Sequence, residues 1–138
     1  MKEIISEKDI RLKLLMCSGS EGYYKHPMFK NILFSEGIIL MVDLCNANWL
    51  LIDMLANISL LSSQHEFITI KVLKSPDQHS CCLIFEDGNN NAIRKPIPYQ
   101  YTVYPLSNYK VSVENKEDIL PAITFFYRNN VLYLPSEH

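Results

Sequence analysis

Tyr23, Tyr24, Lys25 and His26 stand in a row just before Pro27. The run gathers two aromatic rings, a cation and a side chain that titrates near neutral pH. His26 has the chemistry of a general base or a pH-sensitive contact. The plainer reading is an aromatic plug closing a helical layer, because aromatic rings serve mostly in packing. Asp53 stands among apolar residues, with Asn46 seven positions before it and Asn57 four after. On a helix those spacings place all three on one face. A carboxylate buried there would carry a raised pKa and a functional role; the alternative is a solvated polar stripe. An enzyme made from these parts would be a small hydrolase drawing on His26, Asp53 and Trp49.

Other constellations are missing. Cys17, Cys45, Cys81 and Cys82 include no Cys-x-x-Cys pair, and none falls at ligand spacing with His26, His65 or His79. A metal site needs three or four ligands held together, so no metal and no cofactor is expected. The cysteines read as buried or half-buried reduced thiols. Nothing brings Cys45 to His26 as nucleophile and base. With 4 glycines the chain has no phosphate-cradling loop and no Gly-x-Ser-x-Gly elbow.

The elements that must position these residues change character midway. Ser6 followed by Asp9 resembles a helix start, and Ile10, Leu14 and Cys17 recur at helical spacing. Tyr23–Pro27 reads as an aromatic connector, and Pro27 suits the first turn of a short helix through Phe29, Ile32 and Leu33. Ser35 and Glu36 open an apolar run from Ile38 to Cys45. Asn46 is expected to cap a mainly buried helix from Ala47 to about Leu61, with Trp49 in the core. From Glu66 the period becomes that of strands: Phe67–Leu73, Ser80–Glu86 and Ala92–Ile97, with Asp87–Asn91 as a turn. Tyr109–Val113 reads as a strand followed by a polar excursion. Ile123–Arg128, Asn129-Asn130 and Val131–Leu134 read as a hairpin, since Asn tolerates positive φ.

The expected fold is α+β. A helical N-terminal half, about 1–62, packs on one face of an antiparallel sheet of four to six strands formed by the C-terminal half, about 66–138. One domain, 1–138, is expected, because 138 residues suit a single core. The formal net charge is -2, with 13 Lys plus Arg against 15 Asp plus Glu and no basic cluster, which disfavours a nucleic-acid partner. Charges interrupt the N-terminus where an export signal needs its apolar core, and Asp43 and Asp53 break the most apolar region. Neither export nor a membrane span is expected, so the location is cytoplasmic.

Several stretches form a pattern in this order: Tyr24-Lys25-His26, Ala47-Asn48-Trp49-Leu50-Leu51, Glu86-Asp87-Gly88-Asn89-Asn90-Asn91, Ile97-Pro98-Tyr99 and Asn130 through Leu134-Pro135-Ser136-Glu137. The order resembles a family of small bacterial proteins of unknown function, also found on plasmids and phages, over roughly 23–138. The resemblance implies an accessory gene that travels on mobile elements, and no known activity. The spacing departs from the pattern at Ile52, which stands between the two Leu and Asp53.

The sequence therefore points to a non-enzymatic binding or regulatory module acting on a protein partner. Its expected surface is Tyr23, Tyr24 and His26 beside Asn46, Asp53 and Asn57. The hydrolase around His26 and Asp53 and a nucleic-acid-associated factor are the alternatives, and the oligomeric state is left open.

Overall fold

The computed structural model describes residues 6–17, 22–61, 67–74, 80–87, 92–98 and 105–137. Helix α1, Glu7–Leu15, opens on Ser6, whose Oγ accepts from the Asp9 N–H at 3.2 Å. Ile10 and Leu14 are its buried residues. Strands β1, Tyr23–His26, and β2, Phe29–Ser35, then pair as an antiparallel hairpin. This corrects two expectations. Tyr23–His26 is a strand rather than a connector, and Phe29–Ser35 is a strand rather than a short helix. Phe29, Ile32 and Leu33 fit a helical period over so short a run, but burial falls on Ile32 and Phe34, two apart, which is the strand period.

Helix α2, Glu36–Cys45, starts on Ser35, whose Oγ accepts from the Ile38 N–H. It ends at Asn46, whose φ of 50° is left-handed. Asn46 thus closes α2 instead of opening the next helix, a role Asn fills because it tolerates that conformation. Helix α3, Asn48–Leu61, follows at once, with the Ala47 carbonyl accepting from Leu50 and Leu51. Leu50, Leu51, Met54, Leu55 and Ile58 are buried on α3, while Trp49 is half-buried against the core.

The second half supplies β3 (Phe67–Lys74), β4 (Ser80–Glu86), β5 (Ala92–Pro98), β6 (Tyr109–Val113), β7 (Lys116–Leu120), β8 (Ile123–Arg128) and β9 (Val131–Tyr133), then a 3-10 turn at Pro135–Glu137. Among the described residues, seven strands form one sheet in the order β1-β2-β9-β8-β3-β4-β5, and β6-β7 make a separate ribbon. The sheet is larger than expected, draws two strands from the first half, and is parallel where β2 meets β9. The expected β8–β9 hairpin is present, with Asn129 and Asn130 at φ of 53° and 65°. The expected polar excursion contains β7, reached through Glu114 and Asn115 at φ of 51° and 65°. Residues 88–91 of the expected turn at 87–91 lie outside the described residues.

Register separates the two faces of the sheet. Tyr24, Phe34, Leu132, Tyr127, Ile68, Ile70, Phe125, Phe85, Val72 and Leu83 fall on one face by pairing, and from Phe34 onward these residues join α1, α2 and α3 in one buried cluster. The opposite face carries Tyr23, Ser35, Leu33, Val131, Tyr133, Phe126, Phe67, Thr69, Thr124 and Lys71. Phe67 and Phe126 meet at 5.4 Å, Phe126 and Tyr133 at 5.9 Å. Lys71 pairs with Glu86 at 3.0 Å on the same face. Among the described residues, no helix is long and apolar enough to cross a membrane.

Candidate functional site

Among the described residues, two concavities open at the margin of the core, and Leu14, Ala122 and Leu134 serve both the core and the first of them. The first is an apolar groove of about 470 Å³ between α1 and the β6–β7 ribbon. Leu14, Leu15, Leu120, Pro121, Ile123 and Leu134 are the apolar part of its wall, with Ala122 and Pro135 beside them. Tyr109 and Leu120 are register partners and present to the same side of the ribbon. Leu15 is 70% exposed and the adjoining Met16 80%.

Arg11 sets the width of this groove. Its Nε and Nη2 donate to Glu7 Oε1, its Nη1 donates to the Tyr109 hydroxyl and the Ala122 carbonyl, and its Nη2 also reaches the Ser107 carbonyl. A guanidinium has five N–H donors in a fixed fork, and these contacts use them all. The guanidinium carbon also lies 4.3 Å from the Tyr109 ring centroid. Glu7 Oε1 takes the Ser107 N–H as well, at 2.8 Å. Burial works against the charged Glu7 carboxylate, but the Ser107 N–H and Arg11 outweigh it and hold its pKa below the ordinary value. From the other side, Asn108 exchanges two hydrogen bonds of 2.9 Å with the backbone of Lys74, as a strand neighbour would. The ribbon is thereby fastened to both α1 and β3.

The second concavity, about 570 Å³, lies on the far sheet face at the β1 edge. Tyr23, Ser35, Arg128, Asn129, Val131, Tyr133 and Glu137 line it. Burial raises the Tyr133 pKa, and the nearby Arg128 charge pulls the other way.

The residues singled out in the sequence do not converge on one site. Tyr23 lines the β1-edge cavity, whereas Tyr24 turns to the opposite face and stacks on Phe34 at 6.4 Å. His26 Nδ1 accepts from the Met28 N–H at 3.1 Å, and its ring meets Phe29 at 5.7 Å. Asn57 Nδ2 donates to the backbone carbonyl of Asp53 at 2.7 Å. Burial raises the Asp53 pKa, and its charge is felt at Cys81. Neither concavity is lined by Asn46, Asp53 or Asn57. The Cys81 thiol is buried and pushed up to about 12, first by burial and then by the Cys82 and Asp53 charges, so it is a poor nucleophile at neutral pH.

Sequence reasoning missed the groove. One signal was available: α1 with its C-cap Met16 carries Leu12, Leu15 and Met16 in addition to the buried Ile10 and Leu14, more apolar residues than one face can bury. The contribution of Tyr109, Leu120 and Pro121 comes from tertiary placement and leaves no local mark.

These observations define an α+β protein with a helix-covered sheet and an apolar groove at one end. Over residues 8–138 the chain matches a family of unknown function (DUF6876), and it belongs to that family. Comparison with curated proteins gives no match, and comparison with solved structures gives none either.

Proposed function

We propose that this chain is a single-domain, non-enzymatic binding module that engages a protein partner through the groove between α1 and the β6–β7 ribbon. One observation carries the reading: the groove is apolar, open and rigidly framed. Interface cores favour apolar and aromatic side chains within a polar rim, and Leu15, Tyr109, Leu120 and Pro121 inside a rim of Arg11 and Lys71 fit that description. The clasp of Arg11 supports preorganisation, because a groove held open in the free protein costs less to occupy. The four thiols are free, in keeping with action in a reducing cytoplasm.

Affinity capture from the native host, with Leu15→Asp/Leu120→Asp as the paired bait, tests the proposal. Both residues are exposed, so the variant should keep the wild-type melting temperature. One or a few proteins should bind the wild type directly after purification and be lost from the variant. Equal binding by a correctly folded variant would show that the groove is not the interface.

A further inference from the structure

The β1-edge cavity has the form of a slot. Tyr23 on β1 pairs with Ser35 on β2. The parallel register of β2 with β9 sets Leu33 beside Val131 and Phe34 beside Leu132, and one further step places Ser35 beside Tyr133. Tyr23 and Tyr133 are therefore two strands apart on one face, roughly 9.5 Å between backbones. The small Ser35 between them leaves the floor low. A flat ring stacked on both sides needs about 7 Å between the aromatic planes, and a backbone separation of roughly 9.5 Å leaves room for it. Phe126 props Tyr133 edge-on from the β8 side, at 5.9 Å and 72°, and so fixes one wall.

The charges of the cavity are unequal in their freedom. Glu137 accepts from Ser35 Oγ, the Leu134 N–H and the Gly37 N–H, and the N-terminus of α2 offsets its charge. Arg128, in the next row beside Val131, is exposed; among the described residues its guanidinium makes no hydrogen bond or ion pair, and its charge acts on Tyr133. An exposed guanidinium beside an aromatic slot is suited to a carboxylate or a phosphate.

We propose that this cavity binds a small anion bearing a flat aromatic ring, with the ring between Tyr23 and Tyr133 and the oxyanion on Arg128. The volume, about 570 Å³, is within the range of small-ligand sites. Nucleoside monophosphates and aromatic carboxylates share this chemistry. The site is separate from the groove, and its occupation does not depend on the protein-binding reading.

Isothermal titration calorimetry with adenosine monophosphate, indole-3-acetate, adenosine and inorganic phosphate tests it. Saturable binding of the monophosphate or of indole-3-acetate at millimolar concentration is expected, and the tighter of the two identifies the source. Adenosine and phosphate alone should bind at least about tenfold more weakly. Arg128→Gln, at an exposed position, should lose about tenfold or more while melting as the wild type does. Tyr133→Leu should lose a similar factor; if it unfolds through lost contact with Phe126, Tyr23→Ala on the exposed edge takes its place. No saturable binding of either ligand overturns the proposal, as does undiminished binding in Arg128→Gln.

Discussion

Ser35 and Glu137 lie 102 residues apart in the chain, and Ser35 Oγ donates to Glu137 Oε1 at 2.6 Å. The same Ser35 oxygen accepts from the Ile38 N–H at the start of α2, while Glu137 takes the Gly37 and Leu134 N–H groups. A helix N-terminus leaves its first N–H groups without intrahelical partners, and here one carboxylate from the far end of the chain satisfies part of that need. A Cβ on Gly37 would run into Glu137 Oε1 and Leu134 Cδ1, so a side chain at position 37 and the docked carboxylate exclude each other.

Glu137→Ala should accordingly destabilise the protein by about 1–3 kcal/mol, and Ser35→Ala by about 1 kcal/mol. The two losses should not add. Urea unfolding of both single variants and the double variant should give a coupling of at least about 0.5 kcal/mol. Strict additivity would mean that the contact contributes nothing to folding.

Arg11→Lys keeps the charge and discards the fork. A lysine cannot reach Glu7, Tyr109, Ser107 and Ala122 together, so the substitution should cost about 1–3 kcal/mol. Limited proteolysis should cut first within the β6–β7 ribbon, because its anchor to α1 is the part removed. A cleavage pattern identical to that of the wild type would show that Asn108 alone holds the ribbon.

Glu7 and Asp53 should respond to pH with opposite sign. The Glu7 pKa is lowered on folding, so its stabilisation is present above the ordinary carboxylate pKa and is lost as pH falls through the folded value. The Asp53 pKa is raised by burial, so its protonated form favours folding at low pH and that advantage fades as pH rises through the folded value. At neutral pH Glu7→Gln should destabilise, and Asp53→Asn should be neutral or stabilising. Denaturant midpoints measured from neutral to acidic pH should show both differences shrinking; a common sign for the two variants would refute the assignment.

Thiol labelling should divide the cysteines into two pairs. Cys17 and Cys82 are half-buried, whereas Cys45 and Cys81 are buried. In native buffer an alkylating reagent should modify Cys17 and Cys82 first, and Cys81 only on unfolding, given a pKa of about 12. Peptide mass mapping reads the order. Early labelling of Cys81 would mean that the β3–β4 region opens readily.

Local signals carried much of the fold. Asn129-Asn130 announced a tight turn, and the alternation along Phe67–Leu73 announced a strand, because both depend on neighbours in sequence. Phe29–Ser35 misled because seven residues with Phe29, Ile32 and Leu33 fit a helical stripe as well as a pleat; the choice is made by Tyr24 on one side and Leu132 on the other. Arg11 and Glu137 were illegible for a different reason. Their partners, Ser107, Ala122 and Ser35, are about a hundred residues away, and nothing near either residue marks the pairing. Asn46, Asp53 and Asn57 line neither concavity, because a shared helical face does not determine which neighbour that face meets.

The sheet places its last strand in its interior, with β9 between β2 and β8. A ribosome delivers β1, β2 and the start of α2 long before the segment that completes them. Until Val131–Tyr133 emerges, the β1–β2 hairpin has no sheet to join and the start of α2 lacks Glu137. Pairings of such long sequence separation are slow to form, so the nascent chain carries an open strand edge through most of its synthesis. Fragments ending before β9 should be handled by chaperones as unfinished proteins, and a stop signal just before Val131 would be nearly as harmful as one just before β1.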